Sequence, residues 1–371
     1  MAPDRQRLAR WISGKERPAG AWTADDQIDS TLSLAREEGV IGLLDFRLRE
    51  HSTAVATNDT GEKWLLALKE AARTEALRSM MLEGETRRVL KLLDGLGIEA
   101  LLLKGTALAY WAYPEPHLRA SGDVDVLVPD RADAERLAQA LADHGYAREE
   151  TSGDLVAHEL MCTRRMSPQW VLEVDVHWRL NNTTLFAHLF DFDELMTGSI
   201  PVPRLAPNAR GLGPVDALLH AAVHRARNLA NGVGDALKWL YDLVVLSERM
   251  RDSDWAELVE KASRKQLAGV TLGALASAEA MFGCAVPEGV RRDLRLAAAT
   301  EPLDVNRLED WRYMQLQNFR SVRGWWPRLR WLWQRLFPSG DDMRQMYGRE
   351  GSYLALLQVR AQRFWVKWRQ R

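Results

Sequence analysis

Arg119-Ala-Ser-Gly-Asp123-Val-Asp125-Val-Leu-Val128 reads as one short strand. Val124, Val126 and Val128 alternate with the two aspartates. Side chains along a strand point alternately to opposite faces, so Asp123 and Asp125 leave one face and the valines leave the other. Two carboxylates placed that way repel each other unless a cation lies between them. A hard divalent ion, Mg²⁺ or Mn²⁺, meets that need with one or two carboxylates plus substrate phosphates.

Upstream lies Ile98-Glu-Ala-Leu-Leu-Leu103-Lys104-Gly105-Thr106-Ala107-Leu108. An apolar run stops at Lys-Gly-Thr and a helical pattern begins, which predicts strand, tight turn and helix N-terminus. Glycine permits close backbone approach, and the first N–H groups of the helix offer an anion site. Lys104 adds a point charge suited to phosphate. Gly-x-x-x-x-Gly-Lys-Ser/Thr is absent, so this is no P-loop. The competing reading is an ordinary strand-to-helix turn with a surface lysine. Downstream, Trp170-Val-Leu-Glu173-Val-Asp175-Val-His177-Trp178 is a second alternating strand, with Glu173, Asp175 and His177 on one face. If it neighbours the Asp123/Asp125 strand, Asp175 completes a carboxylate cluster.

This succession resembles the nucleotidyltransferase fold of the polymerase-beta superfamily. Leu103-Lys104-Gly105-Thr106, Arg119-x-Ser121-x-Asp123-x-Asp125, Asp175-Val-His177-Trp178 and the later Leu237-Lys-Trp239-Leu-Tyr-Asp242-Leu look like the bacterial uncharacterised nucleotidyltransferase family. The first two elements also resemble AbiEii-type nucleotidyltransferase toxins. The resemblance implies an α+β fold, a mixed sheet with helical flanks. It also implies Mg²⁺- or Mn²⁺-dependent, ATP-type chemistry on a nucleoside triphosphate donor. In that scheme Asp123 and Asp125 bind the donor metal. Asp175 completes a second metal position and helps deprotonate the acceptor, and paired ions can stabilise both attacking and leaving oxygens. Lys104, Gly105 and Thr106 hold the triphosphate, Arg119 neutralises charge nearby, and Ser121 bonds phosphate or shapes the strand entry. Many superfamily members carry Gly-Ser in the turn, whereas this chain has Gly105-Thr106.

The remaining sequence supports a multi-part enzyme. At 371 residues, with 46% apolar and 27% charged content, the chain suits two or three globular units. Pattern divides it into a helical region over 1–95, a catalytic core over 96–200 and a helical region over 201–371, with the Pro/Gly-rich stretch 198–213 as the boundary. Asp130 is a good N-cap for the helix that follows, and His144-Gly145 ends it. The segments 155–163 and 170–178 flank Ser167-Pro168 as a hairpin. No apolar run is long enough for a transmembrane helix, Met1-Ala-Pro-Asp-Arg lacks an apolar leader, and two cysteines give no disulfide frame or zinc site. A cytoplasmic location is expected.

Two features of the last region remain. His220 and His224 share a helix face, but no acidic partner or third ligand completes a zinc motif, so a core role is favoured. From Arg307 to Arg371, 13 Arg and one Lys stand against five acids, a net +9 in a chain of net −1. Seven of 15 tryptophans lie there, at 311, 325, 326, 331, 333, 365 and 368. Arginine interleaved with tryptophan suits RNA, an anionic membrane surface, or simple packing of Trp as core. The acceptor is accordingly open: RNA, as for a toxin-like tRNA modifier; a small molecule, peptide or polysaccharide precursor, as for a tailoring enzyme; or none, as for a non-catalytic nucleotide-binding module. Relief of carboxylate repulsion further predicts that Asp125→Asn raises the melting temperature without metal.

Overall fold

The computed structural model describes residues 4–16, 25–50, 59–149, 153, 155–168 and 170–369. Met1–Pro3, Gln370 and Arg371 lie outside the described residues, as do the side chains of Lys367 and Trp368. The fold is α+β. Seven strands form one mixed sheet: β1 Leu101–Leu102, β2 Asp123–Leu127, β3 Ala147–Arg148, β4 Glu159–Ser167, β5 Trp170–His177, β6 Ile200–Pro201 and β7 Arg210–Gly211. Their order is β3-β4-β5-β2-β1-β7-β6. β2 runs parallel to β5 and antiparallel to β1.

The alternation in β2 and β5 divides the two faces of the sheet. Val124, Val126, Val174 and Val176 are fully buried against Ala134, Leu137 and Leu141 of the helix Arg131–Asp143 and Val89 and Leu93 of the long helix Asp59–Leu96. Asp130 caps its helix as its side-chain chemistry demands, accepting from the Asp133 amide at 2.9 Å. The hairpin forms around Pro168, but β4 begins at Glu159 rather than at residue 155. Just before it the amides of Val156 and Ala157 bond back to the Gly153 carbonyl, which closes a turn there. The Pro/Gly-rich stretch is not merely a linker. It holds β6 and β7, and β7 pairs with β1 through Leu102 and Gly211, so the sheet continues past residue 200.

A second core lies on the other side. It joins Leu8, Ile12, Leu44, Trp64 and Leu68 from the N-terminal helices with Leu218, Leu240, Leu258, Leu275 and Leu294 from the helices Pro214–Asn231, Leu237–Ser247, Asp252–Arg264, Ala268–Phe282 and Glu288–Ala298. The first and last thirds of the chain thus share apolar packing and place helices over the acidic face of the sheet. The tail forms four more helices, Trp311–Ser321, Trp325–Leu336, Gly340–Tyr347 and Tyr353–Arg369. Packing of the tail tryptophans as core holds for Trp331, which is 4% exposed, and fails for Trp325, Trp326, Trp333 and Trp365, which are more than half exposed.

Candidate active site

Strand register builds the site. In the parallel β2–β5 pair, Asp123 lies beside Glu173, Asp125 beside Asp175 and Leu127 beside His177. The two-residue period then puts Asp123, Asp125, Asp175 and His177 on one face. The antiparallel β4–β5 pair sets Glu159 opposite His177. Ligand atoms of Asp125, Asp175 and His177 all lie within 4.8 Å of one another. Asp123 stands outside that group, at the mouth, where its Oδ1 accepts from Ser121 Oγ at 3.1 Å.

Charges alternate through the buried part. Lys104 Nζ is 2.5 Å from Asp125 Oδ1, and His177 Nε2 approaches the same oxygen at 3.0 Å. His177 Nδ1 is 3.0 Å from Glu159 Oε2. Burial opposes ionisation of Asp125, but Lys104 and then His177 outweigh it and hold the carboxyl far below the usual range. Burial likewise works against a charged His177, yet Glu159 and Asp125 lift it to about 9. Glu159 falls to about 2 despite burial, mainly through His177. The repulsion collects elsewhere. Asp175 is pushed up to about 7, chiefly by burial, then by Asp125 and Glu159 against the pull of His177. Asp123 is raised by Asp125 and by burial.

The turn between β1 and the helix Lys104–Trp111 carries backbone strain. Lys104 has φ +48°, an uncommon conformation for a residue with a side chain. Gly105 is required by its neighbours, since a Cβ there would lie 2.8 Å from Arg119 Nη1 and 3.0 Å from Ser121 Oγ. The Thr106 hydroxyl is buried and accepts the Asp125 amide at 3.0 Å, so it braces β2.

Arg119 has its partner on a distant helix. Its Nε and Nη2 reach the two carboxylate oxygens of Asp242 at 2.7 and 2.8 Å, and Tyr113 donates to the same Asp242 at 2.7 Å. The guanidinium is buried and clamps the sheet to the helix Leu237–Ser247. Its charge is directed at Asp242, because a buried carboxylate needs a close, bidentate cation. Basic groups that do line the cleft beside Asp123 are Lys238 and Arg78, in a space of about 440 Å³ that also borders Ser121, Glu173 and Trp170.

His220 and His224 share a buried helix face, as their spacing predicts. Burial, with Lys104 next, drives both below their usual range, His220 to about 3. They border a small cavity with Lys104, Trp239 and Asp242, and the metal-ligand group found among the described residues does not contain them.

The donor set can be tested against a divalent cation. Asp175 Oδ1 is buried without a hydrogen-bond partner, beside a second carboxylate and an imidazole. A buried oxygen without a partner beside a second carboxylate fits a hard divalent cation, Mg²⁺ or Mn²⁺. His177 was visible in the sequence on the correct strand face. Glu159 gave no signal, because only the hairpin register brings it to His177. Lys238 reaches the cleft through packing of a distant helix.

A model of the uncharacterised nucleotidyltransferase family matches residues 24–283. No curated protein matches the chain.

Proposed function

The chain belongs to the uncharacterised nucleotidyltransferase family and is a nucleotidyltransferase; from that premise we propose that it moves a nucleotidyl group from a nucleoside triphosphate to an acceptor hydroxyl or phosphate, using a divalent cation at Asp125 and Asp175. The observation that carries this reading is the orphaned Asp175 oxygen beside Asp125. Asp123, at the mouth, would add a carboxylate ligand to a cation that arrives with the phosphates. Asp125 and Asp175 would hold Mg²⁺ or Mn²⁺, which would neutralise phosphoryl charge. The protein acts in the cytoplasm in this scheme.

In the reaction, the acceptor oxygen forms a bond to the α-phosphorus. The bond from that phosphorus to the α–β bridging oxygen breaks, and pyrophosphate leaves with its electron pair. The acceptor proton passes to the Asp175 carboxylate. Lys104, Lys238 and the first N–H groups of the helix Lys104–Trp111 hold the triphosphate. His177 keeps Asp125 ionised and oriented, and Glu159 keeps His177 charged.

The test offers each labelled triphosphate with Mg²⁺ or Mn²⁺ and total cell extract to the wild-type protein and to Asp175→Asn. Label should enter one fraction with wild type alone. Equal labelling by both proteins would remove Asp175 from the chemistry, and no labelling with any triphosphate would defeat the reading.

A further inference from the structure

The helix Trp325–Leu336 is oriented against the usual rule for a helix on a globular protein. At 100° per residue, Trp325, Trp326, Leu329, Leu332, Trp333 and Leu336 fall within an arc of about 120°. All six are exposed, Trp326 by 80%. The opposite side is anchored. Trp331 is buried with its Nε1 donating to Thr184 Oγ1 at 3.0 Å, and Gln334 Oε1 accepts the Leu155 amide at 3.1 Å. The helix is therefore fixed to the protein by its back, with a continuous apolar face turned outward. On the same wheel Arg330 flanks one edge of that face and Arg335 the other, beside Arg328, whose guanidinium is turned back onto the Val322 and Arg320 carbonyls. Arg323, just before the helix, is exposed, and the segment from Arg307 onward carries a net +9.

We propose that this helix seats the enzyme on an anionic lipid bilayer, lying in the plane of the surface with its apolar face at the headgroup–acyl boundary. An in-plane helix has this composition: Trp and Leu on one side, arginine at the margins level with lipid phosphates. Among the described residues no helix is long and apolar enough to cross a membrane, so the helix lies on the surface. Three exposed leucines set the surface apart from a nucleic-acid platform. Bases stack on aromatic rings, whereas aliphatic side chains gain only by entering hydrocarbon. A second copy of this chain would bring two strongly positive surfaces together, which opposes self-association through this face. The large apolar patch calls for a cover, and the arginines select an anionic one. The proposal is independent of the catalytic assignment.

The experiment is sedimentation of the full chain with vesicles of equimolar phosphatidylglycerol and phosphatidylcholine, and with phosphatidylcholine alone. Wild type should pellet with the anionic vesicles, less so at high salt, and weakly with the neutral ones. Trp326→Asp with Leu329→Asp should cut partitioning by more than about tenfold, since charge is driven onto the inserting face. Both side chains are exposed, so the melting temperature should not change. Arg323→Glu with Arg330→Glu should weaken binding to anionic vesicles by about fivefold or more per reversed charge. No pelleting of wild type, equal pelleting with neutral vesicles, or unchanged pelleting of the Asp variant would overturn the proposal. So would single-stranded RNA binding that the Asp variant loses while vesicles fail to pellet, because the face would then serve RNA.

Discussion

Asp125 and Asp175 sit side by side in parallel register, yet their proton affinities diverge in opposite directions. Asp125 has Lys104 and His177 on one oxygen, so its charge is balanced before any ligand arrives. Asp175 has a buried, unpartnered oxygen and three acidic neighbours. One carboxylate is thus a fixed anion and the other is held near the midpoint of its titration at neutral pH. Two like groups whose environments separate their pKa values are the usual basis for dividing ligand and base roles.

That division reverses the expected effect of Asp125→Asn on the metal-free protein. Removing the anion leaves buried Lys104 without the carboxylate it contacts and His177 with Glu159 alone. Breaking one side of such a pair is strongly destabilising, about 3 kcal/mol or more. The melting temperature should fall, and Lys104→Met in the same chain should restore part of it. A rise in the single variant, measured by calorimetry, would show that Lys104 does not balance Asp125.

Asp175→Asn should behave in the opposite way. A carboxyl whose pKa is raised on folding, here to about 7, favours the folded state while protonated. Its contribution is complete below the unfolded value near 4 and is lost as pH climbs through 7. Wild type should therefore lose stability between pH 4 and 7, by a few kcal/mol at most, while Asp175→Asn loses less across that range. Melting curves of both proteins in chelator at pH 5 and pH 8 decide it: the gap should favour the variant at pH 8. In wild type, the pH–rate profile at low cation should rise toward pH 7, and Asp175→Asn should lower turnover by about a hundredfold or more.

How much of this was legible in the sequence differs by residue. Alternation of aspartate and valine is a local property of a strand, so the acidic face of β2 and β5 could be read directly. The fold followed from the same strands and the Lys104–Gly105 turn. The Glu159–His177 contact could not, because it depends on where the hairpin turns, and a shift of one residue would send Glu159 to the other face. The carboxylate partner of Arg119 could not be read either, for a related reason. Its charge suggested phosphate, but its partner lies 123 residues away on a helix whose docking is a tertiary fact. The Asp125→Asn expectation counts two carboxylates and leaves out Lys104, whose Nζ the fold places 2.5 Å from Asp125 Oδ1.

Gly105→Ala probes that turn. The added methyl would press on the buried Arg119 guanidinium and on Ser121 Oγ. Arg119 is held by two bonds to Asp242 and cannot swing aside without loosening the clamp on the helix Leu237–Ser247. Overpacking of this kind costs about 1–3 kcal/mol. Unfolding by urea should show that loss, with triphosphate affinity falling as the turn shifts. A variant as stable as wild type would mean that the turn has slack.

The Arg119–Asp242 clamp separates a structural arginine from a phosphate-binding one. Asp242→Ala leaves a buried guanidinium unpaired and should destabilise by roughly 3–5 kcal/mol. Arg119→Met with Asp242→Leu removes both charges and should be milder, because neither ion is then left without its partner. Tyr113 loses its acceptor in either case, so the double variant is not expected to match wild type. The reading also fixes what happens to the ligand. Triphosphate affinity should stay within about threefold of wild type in the folded double variant, since Arg119 is directed at Asp242 and the cleft beside Asp123 keeps Lys238. A loss of tenfold or more in titration calorimetry, with the double variant folded, would return Arg119 to the phosphates and make Asp242 its escort rather than its anchor.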